Sequence, residues 1–274
     1  MSAPTRAPVR PPLQPDRPSR GRRWAWLLVA LATGLVVALA TGAQLLGKLA
    51  QQSFSGSTVY RQPVSALSVE ADSGSVTVRP GPVGQVTISQ ALHWTTVRPT
   101  VRVDRDGGTL TVVVQCEGYG PLSDLGCEAE LTILVPPQTA LTSSSGAGDL
   151  TVQRLSGPLN LQSGSGGIEL DEVSGAVQAV TDSGDIDAEG LRSARFQAQS
   201  SSGPVDLGFA LPPQQVRVTT DSGPVDVDLP RGSSYRVGGS SDSGPRDVDS
   251  GLSDPSASGS ITVNTTSGPV ALDH

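Results

Sequence analysis

From Ser143 to the C-terminus the chain repeats one short phrase: Ser-Gly, one or two variable residues, then an apolar-polar-apolar triplet. It reads SGAGDLTV, SGPLNL, SGGIEL, SGAVQA, SGDIDA, SGPVDL, SGPVDV, SGSITV and SGPVAL. Gly184, Gly203, Gly223 and Gly244 are 19, 20 and 21 residues apart, and a second alternating stretch falls in each interval, at 196–199, 216–219 and 235–238. A unit of about 20 residues with two short strands and two turns cannot bury its own Val, Ile and Leu, but stacked units make one continuous core. The pattern therefore predicts an all-β fold, a single-stranded β-helix or β-solenoid of about 20-residue coils over 140–274, with each coil resting on the next. Ser-Gly marks the edges where the chain reverses, because Gly reaches left-handed backbone angles and Ser can bond nearby amides. Pro204, Pro224 and Pro269 follow directly, at strand entrances where a missing N–H is tolerable.

The composition suits a narrow core: aromatics are 3% of the chain and Gly numbers 32, so small branched side chains must fill the interior. Ahead of the repeats, residues 58–139 read as an N-terminal β-strand region of the same domain. SALSVEA, SGSVTVRP, GQVTISQ, TVRPTVRVD, GTLTVVVQ and AELTILVPP are short, rich in Val, Ile and Thr, and separated by Gly, Pro or Asp. Asp106-Gly107-Gly108 reads as a tight turn between two of them. The two cysteines, Cys116 and Cys127, flank a polar, Gly-containing loop. In an exported protein that arrangement predicts a disulfide, worth roughly 3 kcal/mol for a loop of about 12 residues; a redox role is the alternative, with spacing far from C-x-x-C.

Charge divides the chain. The formal net charge is -7, yet residues 1–23 carry six arginines against Asp16. A basic arm ahead of an acidic body suggests two compartments rather than a nucleic-acid-binding surface, so no nucleic-acid partner is expected. The divider is Trp24 to Leu46, about 23 residues without an ionisable side chain; as a helix it spans about 34 Å, enough for a hydrocarbon core of about 30 Å. Residues 24–46 are thus expected to form a single transmembrane helix. The arginines place the N-terminus in the cytoplasm and the C-terminal domain outside the cell membrane. A signal peptide cleaved after Ala38-Leu39-Ala40 is the rival, and it exports the body equally. Residues 1–23 are expected to be a disordered Pro/Arg-rich cytoplasmic tail, and 47–57 a linker. Ala30, Gly34, Ala38 and Gly42 form a small-residue stripe through which two such helices could self-associate.

The SG-x-[VI]-x-[VI] ladder, LTILVPP at 131–137 and GDLTVQRLSGPLNLQSGSGGIELDEVSGAV from Gly148 resemble the bacterial putative-adhesin β-solenoid family, related to the toastrack-like domains of envelope proteins. The resemblance covers most of 65–272. It implies an exported, non-enzymatic β-helix displayed from the cell envelope, sometimes in stress-response systems, and its motifs carry fold rather than function. The arginine-rich tail and apolar span lie outside the family pattern, and the last coil is irregular around 245–258.

Material for chemistry is scarce. His93 and His274 are the only histidines, which gives a metal site or Ser-His relay almost nothing to work with, and no phosphate-loop, dinucleotide or nucleophile-elbow motif occurs. No catalytic, cofactor-binding or metal residue is therefore assigned. The stretch from Asp185 through Asp187 and Glu189 opens like a calcium loop, but its twelfth position is Phe196 where a bidentate Glu is needed. Acidic residues gather near turns at Asp182, Asp185 and Asp187, at Asp221, Asp226 and Asp228, and at Asp242, Asp247 and Asp249. They are read either as solvated turn residues or as an oxygen ladder for calcium. Asp206 and Asp226 hold equivalent positions and should point to solvent one coil apart, with Val225 inward. A pectate-lyase-type enzyme would use longer coils, and Trp94 is the lone Trp beyond the apolar span, so a sugar-stacking platform is not expected. The sequence thus points to a non-enzymatic, membrane-anchored adhesin-like or scaffolding module that binds an envelope or surface macromolecule. An envelope-stress sensing or regulatory membrane protein is the alternative.

Overall fold

The computed structural model describes residues 29–31, 33–34, 52–95, 97–116 and 127–274. Most of the expected membrane span, its flanks and the loop between the cysteines lie outside the described residues. Of the span, Val29, Ala30, Leu31, Thr33 and Gly34 are helical, with the Thr33 hydroxyl donating to the Val29 carbonyl at 2.8 Å. Among the described residues no helix is long and apolar enough to cross a membrane.

The body opens with β1 (Gln52–Tyr60), β2 (Ala66–Ala71), β3 (Val76–Pro80), β4 (Val86–Trp94), β5 (Thr100–Asp106), β6 (Thr109–Gln115) and β7 (Glu128–Val135). From there the chain runs in two-strand coils. These are β8 (Ala140–Ser145) with β9 (Leu150–Gln153), β10 (Leu159–Ser163) with β11 (Ile168–Asp171), β12 (Val177–Thr181) with β13 (Ile186–Leu191), and β14 (Arg195–Ser200) with β15 (Val205–Phe209). Then come β16 (Gln215–Thr220) with β17 (Val225–Asp228), β18 (Arg236–Gly238) with β19 (Arg246–Val248), and β20 (Ser260–Thr265) with β21 (Val270–Asp273). The first strand of each coil joins a ten-stranded sheet and the second an eleven-stranded sheet, and the coil pairs are parallel.

Strict alternation produces the core. In β10 Leu159 and Leu161 are buried while Asn160 and Gln162 are exposed, and β14 alternates likewise. Stacking in register then aligns Leu141, Leu159, Val177, Phe196, Val216 and Ile261 in one sheet, facing Leu150, Ile168, Ile186, Val205, Val225 and Val270 in the other. All of these are buried. Where the coils lengthen, Phe196 and Phe209 fill the added space edge to face, with centroids 6.1 Å apart.

The corners explain the recurrent glycine. A Cβ on Gly223 would run into the carbonyl oxygen of Gly203, and one on Gly203 into that of Gly184, because successive coils stack backbone on backbone there. The hydroxyl that secures each such corner comes from the residue three before the glycine, not from the serine beside it. Thr181, Ser200, Thr220 and Thr265 accept the N–H of Gly184, Gly203, Gly223 and Gly268 at 2.9 to 3.1 Å. The Ser-Gly phrases also divide into two kinds: those at Ser156, Ser174 and Ser258 enter the ten-stranded sheet, and the others enter the eleven-stranded one.

Three expectations need correction. The segment 47–57 overlaps a strand: β1 begins at Gln52 and pairs antiparallel with β4 from Gln52↔Trp94 to Tyr60↔Val86. Its sequence, QSFSGSTVY, lacks apolar alternation because an edge strand half off the core needs little of it. The coils also begin before residue 140: within 58–139, expected as a β-strand region of the same domain, β2 and β3 already form a coil that stacks parallel on β8 and β9. Third, coils do not always rest on the next in sequence. The last coil, β20 with β21, slots between β16/β17 and β18/β19, and the first, β2 with β3, sits between β8/β9 and β6/β7. At the C-terminal end the reason is apolar content. Ile261, Val263, Val270 and Leu272 are fully buried, whereas β18 and β19 are three residues each and largely open.

Cys116 and Cys127 are joined by a disulfide with Cα atoms 6.1 Å apart, linking the end of β6 to the start of β7.

Two chemically sorted faces as the candidate functional site

Parallel, in-register stacking turns each outward position of a coil into a row across the sheet, with a step of about 4.8 Å. On the eleven-stranded sheet one row runs Thr151, Glu169, Asp187, Asp206, Asp226. A second row holds Asp171 with Glu189 and Asp228 with Asp273. Strands β9, β11, β13, β15, β17 and β21 contain no Lys or Arg, so these carboxylates face one another without a cation in their own strands. Partial burial and the neighbouring carboxylates Asp187, Asp185 and Asp228 raise the Asp206 pKa above its ordinary value of 3.8. Asp226 is raised likewise, by burial first and then by Asp228, Asp206 and Asp273.

The opposite face has different chemistry. Its rows run Thr142, Asn160, Gln178, Gln197, Arg217, Thr262 and Ser144, Gln162, Val180, Gln199, Thr219, Asn264. Strands β8, β10, β12, β14, β16 and β20 contain no Asp or Glu. At the strand entrances the outward residues are small, Ala140, Pro158 and Ala176, and then become Arg195 and Gln215. This change leaves a shallow groove of about 420 Å³, floored by the small residues and bounded by Asn160, Gln178, Gln197, Arg195 and Arg217. A carboxamide both donates and accepts, and a guanidinium matches a carboxylate or phosphate with two parallel bonds. The groove can therefore hold a ligand that carries hydroxyls and an occasional anion.

Asp206 and Asp226 pair directly in register and are exposed, and Val225 is buried. The acidic groups near turns regroup: carboxylate oxygens of Asp226, Asp228 and Asp273 lie within 4.8 Å of one another, all three exposed, while Asp221 stays apart from that set. Asp182, Asp185, Asp242, Asp247 and Asp249 are exposed as well. His93 lies on β4 against Ser53 and Glu128, whereas His274 ends the chain near Gly251, so the two are not brought together. Sequence reading singled out the acids and missed the amide and arginine rows. Their signal was present: Asp and Glu occur in the second strand of each coil from β10 to β17, Gln, Asn and Arg in the first, and reading the two sets apart would have sorted the faces.

The Toastrack DUF4097 family model matches residues 64–207 and again 139–273, two overlapping stretches that reflect the repeating coil. No curated protein matches the sequence. Among solved structures the chain is similar to a putative cell adhesion protein from Clostridium sporogenes, at 12% identity and a TM-score of 0.40 over 81% of this chain and 99% of that one. It is also similar to a putative lipid binding protein from Parabacteroides distasonis, at 12% identity and a TM-score of 0.49 over 80% and 96%. A third is a putative adhesin from Bacteroides fragilis, at 14% identity and a TM-score of 0.42 over 80% and 96%. With a model matched from residue 64 to residue 273, this chain belongs to the Toastrack DUF4097 family.

Proposed function

We propose that the chain is a non-catalytic binding module, adhesin-like or scaffolding in kind, anchored by residues 24–46 and holding its solenoid outside the cell. Its ligand is an extended, hydroxyl-rich and sparsely anionic envelope polymer. The observation that carries this reading is the groove on strands β8 to β16 of the ten-stranded sheet, whose lining holds no carboxylate and is built from Asn160, Gln178, Gln197, Arg195 and Arg217 above a shallow floor. Rows spaced at the strand step offer the same hydrogen-bonding groups again and again, which suits a repeating ligand better than a compact one. The groove is open and carries no histidine or thiol for a reaction to use, in keeping with recognition rather than turnover. The anchor rests on the uncharged run and the arginines before it.

The test is equilibrium binding of the full chain, in detergent, to polygalacturonate as an acidic polymer and dextran as a neutral one. Polygalacturonate should bind with an affinity that falls as salt rises, because the arginines are exposed and screened, and dextran should bind more weakly. Equal binding to both, or to neither, overturns the anion-reading role of the face.

A further inference from the structure

Among the described residues the two stacked sheets leave four edge strands, and they are unequal. On the eleven-stranded sheet the edges are β1 and β19; on the ten-stranded sheet they are β18 and β5. Strand β5 is charged along its length, with Arg102, Asp104, Arg105 and Asp106. β18 and β19 are three residues each and carry Arg236, Arg246 and Asp247. Shortness and charge are the usual guards against edge-to-edge pairing. β1 has neither: its nine residues include no charge and no proline. It also bears two exposed large apolar side chains, Phe54 at 41% and Val59 at 47%.

The interior at the same end is incomplete. Thr58 and Tyr60 of β1, Ile88 and Gln90 of β4, and Val101 and Val103 of β5 line an open cavity of about 280 Å³. Val101, Val103 and Tyr60 are only partly buried against the core. Arg98 lies over Phe54 and Trp94, 4.9 and 5.3 Å from the ring centroids. The strands that carry the acidic rows, β11 to β21, lie at the far side of the sheet order, so a body approaching β1 does not meet them.

We infer that β1 pairs antiparallel with β1 of a second copy of this chain, joining two eleven-stranded sheets edge to edge and closing the cavity at each end. Charge decides the occupant. Antiparallel self-pairing about a two-fold axis sets each residue of a strand against one from the same strand, so charges along an edge penalise every register that brings like signs together, and a neutral strand carries no such penalty. β1 alone among the four is long enough to pair and neutral enough to meet itself. Paired about Gly56, Phe54 of each copy lies opposite Thr58 of the other, and Gln52 opposite Tyr60, all on the face that continues the core through Leu92, Ile88 and Val86.

The test uses the full chain in detergent, with mass by sedimentation and amide exchange of 52–60 read across a concentration series. The wild type should be a dimer whose β1 amides lose protection about tenfold or more on dilution to monomer. Ser55→Lys with Ser57→Lys, both exposed positions, should give a monomer with an unchanged circular dichroism spectrum. If that variant misfolds, the wild-type exchange series still decides. A monomeric wild type, or a dimer that keeps its mass in the lysine variant and shows no concentration-dependent protection in β1, overturns the inference; the latter moves association to the apolar span. Protection of β1 only on adding phosphatidylglycerol vesicles also overturns it, with lipid as the occupant.

Discussion

Asp206 and Asp226 sit side by side on β15 and β17 with no cation in either strand, and like charges directly opposite one another destabilise a sheet. Their raised pKa fixes the sign of the pH effect. Above 3.8 the unfolded chain has released a proton that the folded chain still holds, so stability falls as pH rises from 3.8 through the raised folded value. Asp254 works in the opposite sense, since the Ser256 hydroxyl and N–H donate to its carboxylate and lower its pKa. The ladder is therefore isolated by comparing variants rather than by the parent curve alone. Asp206→Asn with Asp226→Asn should raise the melting temperature at pH 7 in low salt and leave it nearly unchanged at pH 3, as followed by thermal unfolding. A lower melting temperature at pH 7 would mean that the acids are held by favourable partners. A second residue-scale outcome concerns backbone strain. Arg154 and Glu172 adopt φ of 50° and 52° at one corner of successive coils, where the next coil has Gly190 at 62°. Glu172→Gly should stabilise by about 1 kcal/mol in urea unfolding, the usual cost of a left-handed angle on a residue with a Cβ.

At the scale of strands and coils, most of the architecture was legible from the sequence because it depends on local alternation. Leu159-Asn160-Leu161 and Val225-Asp226-Val227 state which side faces in, and the Gly-bearing corners state where the chain turns. Coil order was not legible. Which coil rests on which depends on competition between whole units of similar pattern, and Ile261, Val263, Val270 and Leu272 outcompete the sparse strands around Arg236 and Arg246. β1 was missed for a related reason, because its partner β4 lies some 30 residues away and supplies the order that QSFSGSTVY lacks. The intercalated coil makes a specific prediction. Val263→Asp places an unpaired charge in the stack and should cost on the order of 3 kcal/mol or more. Among the described residues β18 and β19 pair only with β20 and β21, so hydrogen exchange should accelerate together in 236–248 and 260–273, with β10 to β13 still protected. Acceleration confined to 260–273 would show that the preceding coil stands without the inserted one.

Over the whole molecule, the solenoid separates charge more sharply than the chain's net value of -7 suggests. Along the coils from β8 to β17, one face carries carboxylates in rows and the other carries carboxamides, hydroxyls and two arginines, with a core of small branched side chains between them. The acidic residues stand out in the sequence at once; the sorting shows only when alternate strands are taken as two separate sets, because it follows from which strands enter which sheet. On the proposed reading, a two-faced body of this kind recognises ligand on one side and repels anions on the other. The decisive measurement is the affinity of the full chain for polygalacturonate, compared between Arg195→Ala with Arg217→Ala and Asp206→Asn with Asp226→Asn. Loss of two charge-assisted contacts should weaken binding by about tenfold or more, while the aspartate pair should leave it unchanged or slightly tighter. Unchanged binding in the arginine pair, with a loss in the aspartate pair, would place recognition on the acidic sheet and contradict the account.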